Sequence, residues 1–281
     1  MAWKNPLLNL AIFSLGISLE LAIAASVSAQ SVVFGNPSVT SNPRQMRMVS
    51  RFNPPDRGAP GTAVGGATRR PGVSCDAQLA EKITPLVPKD NENSYFGLTV
   101  AEKPTFFWHS QGNAQKPVTF FLYEVNGERQ SNQPMYETEL NLPNAPGIVS
   151  LALPPDRILE KGKSYIWFLE MECSEWDDDV GTIVGGIHRV DSNSILDRQL
   201  SFARTPSALS KIYAESGIWF DSLNTLARAR LAEDTPELAA NWEALLEDDN
   251  VNLGNFADEP FVDCCGVEAA NLEEPALTTH N

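Results

Sequence analysis

The chain has 281 residues, 42% hydrophobic and 20% charged, enough for one sizeable domain with a buried core. That balance excludes full-length disorder, a collagen-like repeat and a polytopic membrane protein. The formal charge of −15 argues against nucleic acid as a partner, and three histidines with four cysteines leave little material for a metal or nucleophile site.

The charge is unevenly spread. Residues 30–72 carry six Arg against one acid, Asp56, whereas residues 231–281 carry 13 acids and neither Lys nor Arg. Both blocks read as solvated segments.

Lys4 precedes an apolar stretch from Leu7 to Ala25, and small residues then lead to Val27-Ser28-Ala29. A positive start, an apolar middle and small residues at −3 and −1 are the layout of a secretory signal peptide. Residues 1–29 are therefore expected to be removed after Ala29, leaving a periplasmic or secreted chain. An uncleaved leader is the alternative, and the only membrane attachment expected. Residues 30–72, with Asn53-Pro54-Pro55 and Arg57-Gly58-Ala59-Pro60-Gly61, read as a flexible Gly/Pro/Arg-rich linker. No phosphate-cradling loop is expected at Gly65-Gly66, because no strand precedes it and no Gly-Lys-Ser/Thr closes it.

Residues 73–204 carry strand signals. Phe106-Phe107-Trp108 follow Pro104, and Val118 to Val125 is dense in β-branched and aromatic residues before Asn126-Gly127, a tight-turn dipeptide. Tyr136, Leu140 and Leu142 form one apolar face, and Ile148 to Leu153 is a short strand closed by Pro154-Pro155. Ser164 to Cys173 alternates, with Tyr165, Trp167, Leu169, Met171 and Cys173 inward. Ile183 to Val190 is the last candidate. Five or six short strands with no helix between them predict an antiparallel β-sandwich.

After residue 204 the period becomes helical. Thr205-Pro206 and Thr235-Pro236 are helix starts, a capping hydroxyl followed by Pro in the first turn. Leu209, Ile212 and Tyr213 form one stripe, Gly217 breaks it, and Trp219, Phe220, Leu223 and Leu226 begin a second helix. Leu238, Trp242, Leu245 and Leu246 face inward on a third. Residues 205–249 thus form a small C-terminal helical hairpin, and the fold class is mixed. Residues 250–281 read as an acidic flexible tail, in which Phe256, Phe261 and Val262 could dock.

Tyr213, Gly217, Trp219, Ser222, Leu223, Leu226 and Ala229 fall at the offsets of one tetratricopeptide repeat, which the segment resembles. A single repeat cannot bury its face alone. It packs on the sandwich or stacks on a partner's repeats, and the first needs no second chain.

Little points to chemistry. Cys75 precedes the strands and Cys173 ends one, and in an oxidising compartment the two are natural disulfide partners. Closing a loop of about a hundred residues is worth at most roughly 4–5 kcal/mol. Cys264-Cys265 are adjacent and would pair only with strain, so they are expected to stay free or to cross-link chains. Asp177-Asp178-Asp179 suggests a calcium loop, but His188 stands at the twelfth position where a bidentate Glu is required. The run reads as a solvated hairpin tip. His109 and His188 lie on predicted strands and His280 in the tail, and no His-Glu-x-x-His or Gly-x-Ser-x-Gly occurs. No metal, cofactor or catalytic residue is expected.

Several short motifs occur together: Arg57-Gly58-Ala59-Pro60, Leu86-Val87-Pro88, Gly97-Leu98-Thr99 and Pro146-Gly147-Ile148-Val149-Ser150-Leu151. Leu159 to Trp167 leads to Cys173, and Gly217-Ile218-Trp219-Phe220-Asp221 leads to Asn241-Trp242-Glu243-Ala244-Leu245-Leu246. On these motifs, residues 57–253 resemble a cyanobacterial family catalogued as a domain of unknown function (number 928). The resemblance implies a secreted or periplasmic protein with no assigned catalytic residue, and a repeat-containing partner. The strand pattern is also similar to that of fibronectin-like and immunoglobulin-like domains, which bears on fold and not function.

The expected function is therefore a non-enzymatic protein-interaction module. Its possible interaction surface comprises Trp176, Tyr213, Trp219 and Trp242. A carbohydrate-binding accessory protein of the cell envelope, with Trp176 stacking on a glycan, is the alternative. A hydrolase with an unrecognised carboxylate pair is a weaker one.

Overall fold

Period-two patterning becomes two sheets in a computed structural model that describes residues 51–59, 75–112, 117–127, 129–172 and 180–264. The leader, most of the 30–72 segment, Cys173, Trp176, Asp177–Asp179, Cys265 and residues 266–281 lie outside the described residues. The smaller sheet has the antiparallel order β1 (Ile83–Pro85), β3 (Thr105–Ser110), β7 (Gly147–Ala152). The larger has the order β2 (Tyr95–Thr99), β9 (Val180–Arg189), β8 (Ser164–Glu172), β4 (Val118–Asn126), β5 (Arg129–Gln130), with β6 (Tyr136–Leu140) also on β4. The class is mixed, with mostly antiparallel strands, five α-helices and no closed barrel among the described residues.

One pairing departs from the expected antiparallel arrangement. β2 runs parallel to β9, from Tyr95 opposite Gly185 to Thr99 opposite Arg189. A parallel pair needs a long crossover, and here six intervening strands supply it. β2 carries no period-two signal because both its faces are covered: Phe96, Gly97, Leu98 and Thr99 are all buried.

The sheets meet through large rings. Phe106 lies 5.0 Å and Trp108 6.2 Å from Phe120, centroid to centroid. Tyr165, Trp167, Leu169 and Met171 point inward as their alternation predicts, with Glu172 exposed. β3 is buried on both faces: Phe107 and His109 are as covered as Phe106 and Trp108.

The helices are α1 (Cys75–Lys82), α2 (Ser194–Phe202), α3 (Pro206–Glu215), α4 (Trp219–Ala232) and α5 (Pro236–Leu246), followed by a 3₁₀ turn, Gly254–Phe256. Thr205 and Thr235 cap α3 and α5, accepting from the Ala208 and Leu238 amides, and Pro206 and Pro236 open those helices. The α3 stripe is corrected. Ser207, Ser210 and Ala214 are buried, whereas Leu209, Ile212 and Tyr213 are only partly covered. Small side chains let α3 and α4 approach until Ser210 and Ser222 share a hydrogen bond of 2.9 Å. Gly217 turns the chain between them at φ +73°, and a Cβ there would lie 2.7 Å from the Asn53 carbonyl oxygen.

The described parts of the two segments expected to be flexible, residues 51–59 and 250–264, pack on the core. Phe52 is fully buried, edge-on to Trp219 at 5.2 Å, and the Asn53 amide donates to the Ala214 carbonyl. Burying such a ring is worth about 2–3 kcal/mol, which offsets the ordering of a short strap. At the other end Val251, Leu253 and Ala257 are buried. Phe261 forms a parallel bridge with Ile148, whose amide donates to the Pro260 carbonyl at 2.7 Å. This C-terminal strap covers the second face of β3, where Phe256 stacks on His109 at 4.9 Å.

Candidate functional site

The N-terminal strap ends on a carboxylate. Asp90 Oδ1 accepts from the Glu92 and Ser94 amides, and Oδ2 accepts from the Ala59 amide at 2.9 Å. A Cβ on Gly58 would come 2.6 Å from that Oδ2, so the close approach depends on glycine. Asp90 thereby fixes Arg57 on the wall between two clefts.

The first cleft, about 470 Å³, is lined by Arg57, Phe96, Asn126, Lys163, Ser164 and His188, with Gly127 and Gly162 at the turns beside it. The second, about 620 Å³, shares Arg57, Gly58 and Phe96 and adds Asp56, Lys89, Asn91, Glu92, Asp249, Asn250 and Asn252. Six separated stretches of chain thus line the two clefts that share Arg57.

Strand register explains the centre of the first cleft. Ser164 on β8 stands directly opposite His188 on β9, and Ser164 Oγ lies 2.8 Å from His188 Nδ1. Burial, and then the positive charge of Arg57, hold His188 below the usual histidine value, so the ring is neutral near pH 7. Lys163 lies 2.9 Å from Glu160 and 3.0 Å from Glu124. Hydrogen bonds to Glu160 and then Glu124 hold its ammonium above the usual lysine value, and its charge is met locally. Arg189, one residue beyond His188, is buried and donates to the carbonyls of Val100 and Leu159 and to Glu102 at 3.3 Å. Arg57 is exposed and, among the described residues, makes no ion pair.

A neutral imidazole bonded to a hydroxyl can act as a base toward it. It can equally present its second nitrogen to a ligand. Among the described residues no carboxylate engages that nitrogen, and no group of three His, Cys, Asp or Glu is placed to hold a metal ion.

Of the residues expected to form an interaction surface, Tyr213, Trp219 and Trp242 do not line these clefts, and Trp176 lies outside the described residues. Trp219 and Trp242 are corrected: both have no exposed surface. Trp219 Nε1 donates to the Leu86 carbonyl at 2.8 Å, and Trp242 lies under Phe261 at 5.2 Å with Arg230 over its ring. The helical segment buries its face on the sheets and straps of its own chain. Tyr213 is half-buried, its phenol pushed up to about 12 by burial and then by Asp221 and Asp197. Cys75 is buried with its Sγ 3.6 Å from the Met171 carbonyl oxygen, and Cys264 Sγ lies 3.9 Å from that of Asn141. Ser164, His188 and Arg57 were not singled out by the sequence reading as a site. Counting outward evenly from the predicted hairpin tip would have set Ser164 near His188, but nothing in the sequence brings Arg57 to them.

The model of the family Domain of Unknown Function (DUF928) matches residues 64–261. The chain belongs to that family. The DUF928 match takes in Lys163, Ser164 and His188, while Arg57 and Gly58 precede it. No curated protein matches the chain. Among the described residues of this DUF928 protein, no helix is long and apolar enough to cross a membrane.

Proposed function

We propose that this DUF928 protein is a non-enzymatic interaction module of the cell envelope, periplasmic or secreted, that seats a protein partner in the paired clefts beside Arg57. The observation that carries the reading is the Arg57 guanidinium, without an ion-pair partner among the described residues, on a wall shared by two polar clefts, its strap held by the Ala59 amide on Asp90. Solvent-facing polar groups gathered from separate segments around such a cation are suited to recognition. The leader-like first 29 residues support the address, and the resemblance to a cyanobacterial family supports the setting.

Three finer readings accompany it. The facing sheets are a variant of the immunoglobulin-like sandwich, supported by the Phe106, Trp108 and Phe120 contacts. The α3–α4 pair is tetratricopeptide-like, supported by Gly217 at its turn and by the small Ser222 in its contact. Cys75 pairs with Cys173, supported by the place of Cys75 beside Met171, two residues before Cys173.

The test is site-specific photo-crosslinking of the full chain in a cyanobacterial envelope preparation, with the photoreactive residue at position 126, which lines the first cleft with Arg57, and a control at Lys211. Light-dependent protein adducts at position 126 and none at 211 are expected. No adduct at 126 overturns the reading.

A carbohydrate ligand is the second reading. Asn91, Asn250, Asn252 and Asp249 around the second cleft favour it, since amides and carboxylates together satisfy sugar hydroxyls. A glycan array distinguishes the two.

A further inference from the structure

We infer that the first cleft receives a carboxylate of the partner, an Asp or Glu side chain seated on Arg57 with the His188 ring as second donor. The inference rests on the proposed binding role and names the chemistry that would be recognised.

The argument starts from which charges are already met. Lys163 is held between Glu160 and Glu124, and Arg189 is buried against Glu102 and two carbonyls. Among the described residues that line this cleft, Arg57 alone keeps its charge available. A guanidinium is a planar fork of donors without an acceptor, and its best match is a planar group with two acceptors.

His188 completes the donor set. Ser164 Oγ lies 2.8 Å from Nδ1, and a carboxylate in the cleft selects the tautomer in which that hydroxyl donates to Nδ1 and the neutral ring carries its hydrogen on Nε2; no described residue accepts from Nε2. The two free donors suit an acceptor-only ligand. A sugar hydroxyl also needs somewhere to donate. A dianionic phosphate would feel the Glu124 and Glu160 carboxylates that hold Lys163 at this cleft, whereas a single carboxylate is repelled less. The strap is already fixed by Asp90, so binding orders the Arg57 side chain and little else.

The same geometry supplies a reporter. The groups facing His188 are Arg57 from the strap, Ser164 from β8, Lys163 with its two glutamates at the adjoining turn, and Leu98 opposite on β2. Among these groups Arg57 is the charge that, after burial, holds the His188 pKa down. A carboxylate on Arg57 cancels that field, so binding raises the His188 pKa.

The experiment follows His188 ring signals by NMR in the full chain, assigned by loss of the signal in His188→Gln. The probe is an acetylated, amidated tetraglutamate peptide, with tetraglutamine and inorganic phosphate as comparisons. Tetraglutamate is expected to raise the His188 pKa and tetraglutamine to leave it unmoved. Arg57→Gln is expected to raise the His188 pKa without peptide and to weaken the peptide about tenfold or more. An unmoved His188 with tetraglutamate, an equal response to tetraglutamine, a response to phosphate alone, or unchanged peptide affinity in Arg57→Gln overturns the inference. Crosslinks at position 126 without any carboxylate response would retain the partner and remove the carboxylate; a carboxylate response without crosslinks would do the reverse.

Discussion

Thr99 Oγ1 donates a 2.7 Å hydrogen bond to Asp221 Oδ2, tying the last residue of β2 to the first turn of α4. The Val100 amide donates to the same oxygen at 3.1 Å. Burial pushes this carboxyl up to about 6, against the downward pull of these bonds. A carboxyl whose folded value exceeds its ordinary 3.8 contributes stability that is full below 3.8 and lost as pH rises through about 6. The chain should therefore lose at most about 3 kcal/mol from this group on crossing that window upward. Urea titrations below pH 3.8 and above pH 6 should show the loss, and Asp221→Asn should flatten it.

Gly185 makes room for Trp167. A Cβ at position 185 would lie 2.1 Å from Trp167 Cζ2, inside a filled core. Gly185→Ala should cost about 1–3 kcal/mol through overpacking. Denaturant midpoints measure the cost, and a changed near-ultraviolet tryptophan signal should accompany it.

Phe52 holds the N-terminal strap, and Phe202 on α2 is 72% exposed. Phe52→Ala should cost roughly 3–5 kcal/mol by emptying a buried site. Phe202→Ala should stay within about 0.5 kcal/mol. Equal effects in chemical denaturation would show that the strap is not anchored as described.

Phe261 couples the C-terminal strap to α5 through Trp242 and to β7 through Ile148. Phe261→Ala should cost about 1–3 kcal/mol and speed amide exchange at Ile148, whose hydrogen bond to Pro260 closes the strap. Exchange at Phe107, deeper in the sheet, should change less.

The proposed Cys75–Cys173 link should appear as a joined peptide in non-reducing mass spectrometry. Reduction should then lower stability by up to about 4–5 kcal/mol. Full alkylation of both thiols without reductant would disprove the link.

Much of the architecture could be read from residue patterns where one face is wet and the other dry. β4 and β8 alternate because each has such a pair of faces, and Thr205 and Thr235 announce helices because hydroxyl caps act locally. β2 and the second face of β3 gave no such signal because both faces are covered, so alternation vanishes. α1 and α2 were missed for a different reason: eight and nine residues are too short to show a period. The straps looked like linkers because Pro, Gly and Asn describe backbone turns and say nothing of one anchoring ring such as Phe52. The cleft was invisible for the same reason, since Arg57 reaches Ser164 and His188 only through tertiary contacts set by Asp90 and the sheet register.

Phe52 is gripped from the far end of the chain: its amide donates to Asp248 and its carbonyl accepts from Asn250. The earliest described segment closes upon one of the latest. A ribosome delivering this polypeptide must therefore release it past Asn250 before that clasp can form, so the N-terminal strap, although made first, is locked only after the helices that separate it from Asp248 have been made.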